Sequence, residues 1–222
     1  MDVKEAIEER KSNRAFGPDP LPREVLQEIM RRALRAPSWG NTQPWNFTVV
    51  GGKTLEKIKE ETVQLLEKEV PTRPEVPMPT EFPDGQTVRY KGLGRDLFRA
   101  LGIERGDKNG RKAHYETMTR LFDAPYLIYL HLEKGFNPYA LMDCGGILQT
   151  IALLAVEAGL GTCILARSVS YPDVVRKHVE IPDGQVLVMG MAIGHPLKEH
   201  PANQFRSERG KLEEFVRWVD VD

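Results

Sequence analysis

The segment from Pro138 to Gly159, PYALMDCGGILQTIALLAVEAG, constrains the fold of this chain more than any other stretch. Its helical pattern carries only Asp143 and Glu157 as formal charges, and small residues lie on several of its sides. Such a helix has no polar face to offer to water, so it is expected to be buried all round. Other elements must wrap it, and the flanking sequence supplies them. "APYLIYLHLE" precedes it as a strand and "GTCILAR" follows it as another. "QVLVMGMAIG" is apolar enough to lie centrally in a sheet.

The N-terminal half reads as helices around one further strand. Residues 3–12 place Val3, Ala6 and Ile7 at helical spacing, with Asp2 positioned to cap the start. "LPREVLQEIMRRALRAP" forms an apolar stripe from Val25, Leu26, Ile29, Met30, Ala33 and Leu34. "WNFTVVGG" alternates like a strand and ends in a turn. "KTLEKIKEETVQLLEKEV" returns to a helical period, and "YPDVVRKHV" predicts a short helix later in the chain. With no regular alternation of strand and helix and no internal repeat, the class is α+β. The segment "PTRPEVPMPTEFPDGQ" has five prolines in sixteen residues and cannot be regular. Together with the glycine-interrupted stretch that follows, it marks residues 71–123 as an excursion: a meander, then two or so short helices. Its aromatics Phe82, Tyr90, Phe98 and Tyr115 point to docking onto a surface, as a lid or binding loop does.

At 222 residues with 41% hydrophobic and 28% charged, the chain can form one domain with a full core. Its net charge is -1, with the basic runs sharing helices with acidic neighbours, which argues against nucleic acid or an anionic membrane as partner. No apolar run reaches the roughly 18 residues of a membrane span, and the N-terminus lacks a signal core. Cys144 and Cys163, both in apolar surroundings, read as buried free thiols. A cytoplasmic location is therefore expected.

Side-chain constellations for catalysis are scarce. There is no GxSxG, HExxH, Walker loop or GxGxxG, and the five histidines are scattered without metal-ligand spacing. His131 reads as a packed or partner-bonded strand histidine, and Asp143 as a locally hydrogen-bonded acid. If this is an enzyme, a bound cofactor carries the hard chemistry. "ERKSNRAF" gathers Arg10, Lys11, Ser12 and Arg14 where the first helix ends, suited to clamping a phosphate. The competing reading is a basic helix C-terminus that complements the macrodipole. "NQFRSERGKL" supplies Arg206, Ser207 and Arg209 in a second short polar stretch. "APSWGNTQPW", from Ala36 to Trp45, is unusual for a connection between a helix and a strand. It holds Pro37, Gly40 and Pro44 beside Ser38, Asn41, Thr42, Gln43 and two tryptophans.

"RKSNRAF", "APSWGNTQPWNFTVV", "AGLGTCILA", "GHP" and "FRSERGKLEEFV" stand in an order that resembles the FMN-dependent nitroreductases over nearly the whole chain. The proline-rich stretch and "LGIERGDKNGR" look most like the subgroup that includes nitrobenzoate reductases. The resemblance implies a single α+β domain over 1–222, with a central mixed or antiparallel sheet flanked by helices. It also implies an intertwined homodimer with two tightly but non-covalently bound FMN at the subunit interface. Residues 71–123 would roof the site, and a tail at about 205–222 would reach the partner.

Residue by residue, Arg10, Lys11 and Ser12 would hold the FMN phosphate and ribityl chain, while Arg14 would approach the N1–C2 carbonyl edge. Arg209, with Arg206 as competitor, would be the C-terminal phosphate ligand. Pro37, Ser38, Trp39 and Asn41 would line the flavin of the partner subunit, with Trp39 equally suited to anchoring the dimer. The backbone of Ile164, Leu165 and Ala166 would lie along the ring near N5. No side chain would be catalytic in its own right; Arg14 would tune the flavin. One cation about 4 Å from the charge that reduction leaves there is worth on the order of 4 kcal/mol at an effective dielectric of 20. The implied activity is ping-pong hydride transfer from NAD(P)H to a small aromatic acceptor, a nitro compound or quinone. The alternatives are a flavin-binding redox sensor without turnover, or a reductive dehalogenase or flavin-fragmenting relative on the same fold.

Overall fold

Alternation along the strands decides the architecture. The computed structural model describes residues 1–221. Strands β1 (Trp45–Gly51), β2 (Tyr126–Glu133), β3 (Gly161–Leu165) and β4 (Gln185–Gly194) form one sheet in the order β1-β2-β4-β3. All three pairings are antiparallel. Of the mixed or antiparallel sheet expected, the antiparallel form is found. β2 and β4 are central and buried on both faces, as their continuous apolar runs require. Leu127 and Tyr129 of β2 point to one face, Ile128, Leu130 and Leu132 to the other.

On the first face lie α3 (Gly52–Glu67) and α7 (Pro172–His178), with Leu55, Ile58, Val174 and Val175 in the core. On the second lie α2 (Arg23–Ala33) and α6 (Pro138–Glu157), joined through Leu26, Ile29, Ile147 and Ile151. α1 (Val3–Glu9) also packs on α6, and Asp2 caps it by accepting a hydrogen bond from the Glu5 N–H at 2.9 Å. A four-residue helix, α8 (Pro201–Gln204), precedes the C-terminal tail.

α6 departs from the expectation in two ways. As a whole helix it is long and apolar enough to cross a membrane by length and composition. Asp143 and Gln149 break the uninterrupted run without making the helix polar, so that earlier criterion missed it. Second, it is not buried all round. Ala140, Cys144, Ile147, Leu148, Ile151 and Ala155 face the core, whereas Tyr139, Met142, Gly145, Gly146 and Gln149 are exposed. Met142 is 70% exposed, so an apolar, glycine-bearing stripe stands open on this chain.

Residues 71–123 resolve into a meander followed by α4 (Asp84–Ala100) and α5 (Lys108–Thr119). With 17 and 12 residues these helices are longer than the glycines suggested. The meander is pinned to the core: the Glu75 carboxylate accepts from Arg176 Nε at 3.1 Å and from the Leu187 N–H at 2.5 Å. α5 joins β2 through Leu121, Phe122 and Asp123, all with φ between 56° and 59°. Such left-handed backbone costs of order 1–3 kcal/mol per residue and persists only when its surroundings impose it. Here Lys59 Nζ donates to the Ala124 carbonyl at 2.8 Å, and Phe122 O accepts from the Phe16 N–H at 3.3 Å.

Cys144 and Cys163 are buried and free. Trp45 is buried in the core at the start of β1. His131 is a partnered strand histidine: Nδ1 donates to Gln185 Oε1 at 2.5 Å and Nε2 accepts from Thr48 Oγ1 at 3.0 Å. That arrangement is the neutral ring, and burial first of all holds its pKa below the usual range.

Candidate functional site

The strip that follows α1 runs along the free edge of β3. Ser12 bridges Thr162 in parallel, and the Asn13 N–H donates to the Thr162 carbonyl at 2.8 Å. Gly161 makes this approach possible, since a Cβ there would stand 2.6 Å from Asn13 Nδ2. Beyond the bridge no further strand among the described residues pairs with that edge of β3. Thr162 turns its carbonyl to that edge, so by the alternation of an antiparallel strand Ile164 turns its backbone groups the same way. Ile164 is 44% exposed between buried Cys163 and Leu165, so its side chain alone faces outward there.

Arg14 sits at the centre of this strip. One guanidinium nitrogen donates to the Ser12 carbonyl at 3.3 Å, and its backbone N–H to Asn203 Oδ1 at 2.6 Å. Burial pushes the Cys163 thiol up to about 11, against the opposing pull of Arg14 and of a hydrogen bond with Ser12. His114 of α5 also faces Arg14: burial and then the guanidinium hold it below the usual histidine range. Its ring meets Phe98 of α4 edge-on, with centroids 5.3 Å apart and an interplanar angle of 87°. Both excursion helices therefore stand beside the Arg14 strip.

The second polar stretch converges on the first. Arg10 is held below its ordinary range by burial, then by Arg209, then by Arg206. Three guanidinium groups share one neighbourhood, and among the described residues none of them, nor Lys11 or Arg14, forms a salt bridge. Arg209 folds back on its own loop, donating to Ser207 Oγ at 2.8 Å and to the Glu208 carbonyl at 2.9 Å. A macrodipole complement would need one cation at the helix end, not three from two ends of the chain. A group of cations without such pairs is chemically suited to a multiply charged anion.

The Trp39 loop points elsewhere. Trp39 donates its N–H to the Asp143 carboxylate at 3.1 and 3.2 Å, and its ring lies 4.9 Å from that of Tyr139, both on α6. Asp143 is thus not locally bonded, as a lone helical acid would be; it ties two segments 104 residues apart. Ser38 Oγ accepts from the Gln43 N–H at 3.0 Å, while Gly40, Asn41 and Gln43 take positive φ to close the turn. Pro37, Trp39 and Asn41 are exposed, and among the described residues none of the loop's hydrogen bonds reaches the Arg10–Arg14 strip. Within one chain the expected site residues thus fall into two groups, the arginine strip with β3 and the Trp39 loop.

Residues 7–195 match the model of the nitroreductase family. This chain belongs to that family. It is 32% identical to the nitrobenzene nitroreductase of Ectopseudomonas oleovorans over 98% of its own length and 96% of that protein. To a protein named NADH dehydrogenase from Thermus thermophilus it is 48% identical, with the same coverage of both. Among solved structures, the FMN- and NADPH-dependent nitroreductase NfnB of Sphigopyxis sp. strain HMH superimposes with a TM-score of 0.94. That chain is 35% identical, and both chains are covered in full. The nitroreductase fold seen here is therefore that of the family, α+β with an antiparallel sheet between helices.

Two contributors escaped the sequence reading. Asn13 lies inside "RKSNRAF", yet only the cations and the hydroxyl drew attention there. Asn203 sits in the polar run "PANQF", where nothing marks one amide as buried.

Proposed function

We propose that this chain is an FMN-dependent NAD(P)H oxidoreductase that reduces nitroaromatic or quinone-type acceptors and works as a homodimer. The observation that carries the reading is the convergence of Arg10, Arg206 and Arg209, none of which forms a salt bridge among the described residues. Three guanidinium groups fit a phosphate monoester, and the free edge of β3 beside Arg14 fits a flat heterocycle presenting donors and acceptors along its rim. When bound, FMN would supply the hydride chemistry between NAD(P)H and the acceptor.

The protein's own part is to bind and to polarise. Arg10 and Lys11, with Arg206 and Arg209, neutralise the phosphate, and Ser12 adds a hydroxyl. Arg14 offers a fixed positive charge to the ring edge, stabilising a reduced flavin more than an oxidised one. Ile164, Leu165 and Ala166 offer backbone groups, so the reading requires no catalytic side chain. α4 and α5 act as the lid and exclude water above the site.

The homodimer is supported by the open stripe on α6 and by the exposed Trp39 loop beside it. Pro37, Ser38, Trp39 and Asn41 would complete the partner's site, and the tail would run onto the partner. Leu212, Phe215, Trp218, Val219 and Val221 in that tail are exposed on one chain. The free cysteines suit a reducing cytoplasm.

Purified protein is expected to be yellow, to show FMN absorbance, and to bleach anaerobically with NADH or NADPH. Reoxidation by a nitrobenzene should restore the colour. A colourless protein that takes up no added FMN would overturn the reading.

A further inference from the structure

We infer that Asn203 is a positioning residue that fixes the Arg14–Ala15 backbone and, through it, the placement of the Arg14 guanidinium. The inference rests on the functional reading above, in which Arg14 faces the flavin. Asn203 is fully buried, on the short helix α8 just before the tail. Its amide is saturated by main chain. Oδ1 accepts from the Arg14 N–H at 2.6 Å, while Nδ2 donates to the Ala15 carbonyl at 2.7 Å and to the Leu197 carbonyl at 2.9 Å. One acceptor meeting an N–H and one donor meeting two carbonyls leave a single orientation of the amide.

The strip needs this clamp at that point. Asn13 is fixed to β3 through Thr162, and Phe16 is fixed through the Phe122 carbonyl. Between them the Ala15 carbonyl accepts from the Leu197 N–H at 3.1 Å, but the Arg14 N–H has no partner among the described residues other than Asn203. A long side chain inherits its direction from its own backbone, and Arg14 has only the 3.3 Å contact to Ser12 O to steady it further. Asn203 also stands three and six positions before Arg206 and Arg209, so one amide places both cation groups in a common frame. Aspartate could not serve, since it has no donor for the two carbonyls and would set a negative charge beside Arg14.

The test uses the FMN-loaded protein and four variants: Asn203→Leu, which keeps the volume, Asn203→Ser, Arg14→Met, and Asn203→Ser with Arg14→Met. Flavin midpoint potential and FMN dissociation constant are measured on each, and amide exchange at residue 14 on the FMN-free forms. Both Asn203 variants should lower the potential in the same direction as Arg14→Met and weaken FMN binding about tenfold, the loss of one well-made buried hydrogen bond. They should also abolish protection of the residue 14 amide. In the Arg14→Met background, Asn203→Ser should shift the potential no further, because the two act through one group. Should Asn203→Leu fail to fold, Asn203→Ser carries the same comparison. An unmoved potential in Asn203→Ser beside a lowered one in Arg14→Met would overturn this inference alone. So would a shift that persists in full without Arg14. Wild-type protein that binds no FMN would overturn the functional reading and this inference with it.

Discussion

Arg10 carries its charge into partly buried surroundings that already hold Arg206 and Arg209, an arrangement that repels itself until an anion arrives. Removing one charge should therefore relax the empty protein while weakening its ligand. Arg10→Met is expected to raise the FMN dissociation constant by about tenfold or more, the scale of a charge-assisted hydrogen bond. The urea midpoint of the FMN-free protein should stay equal or rise. Equilibrium dialysis and urea titration check the two halves, and a fall in both would assign Arg10 a structural role instead. His131 makes a pH prediction. Its folded pKa is depressed, chiefly by burial, so the unfolded chain takes up a proton that the folded one refuses. The stability this contributes is present above the ordinary histidine pKa of about 6.5 and is lost as pH falls below it. His131→Asn should flatten that acid limb in urea titrations run across the window.

Among the elements, the proline-rich meander is the least expected. Five prolines exclude regular structure, yet Glu75 fastens the segment to Arg176 and to the Leu187 N–H, and Arg73 N–H donates to the Ser170 carbonyl at 2.9 Å. Glu75→Ala leaves the Arg176 guanidinium, only 22% exposed, with the Ile181 and Gln185 carbonyls but no counter-ion, and takes the carboxylate from the Leu187 N–H, so it should cost about 2–3 kcal/mol. In a protein of this size that lowers the melting temperature by several degrees, which calorimetry would show. An unchanged transition would mean the meander is not part of the folded unit. The strands and most helices were legible because their periods report which faces are buried. "RKSNRAF" was legible because three cations and a hydroxyl crowd into five residues. The open stripe of α6 was not, because an apolar face left open on one chain has the same composition as a face that meets a core. The anchor at Glu75 and the amide of Asn203 were invisible for another reason: one carboxylate or amide in a polar run has no period, and only the tertiary path gives it a partner.

For the molecule as a whole, the proposed function has two chains make each site, one giving the arginine strip and the other the Trp39 loop. Sedimentation should find a dimer, and Met142→Arg on the open stripe should shift it toward monomer with loss of FMN. Complementation is the stricter test. A chain with Arg10 and Arg209 both replaced by Ala cannot hold phosphate, and a chain with Ser38 and Asn41 both replaced by Ala cannot line its partner's flavin. Unfolded together and refolded, they should regain about a quarter of the normal FMN sites, since half the dimers are mixed and each has one intact site. No recovery would place all the ligands within one chain. The left-handed turn at Leu121–Asp123 bears on how such a protein can diversify. Leu121 and Phe122 must be large and apolar to stay buried, yet they hold a backbone that only glycine adopts without cost. Neither glycine nor a β-branched residue meets both demands, so single substitutions there are nearly closed to drift. α4 and α5 hang from that junction with mostly exposed surfaces, free to change. With α4 and α5 as the proposed lid, substrate range could evolve quickly there because the joint beneath can hardly evolve at all.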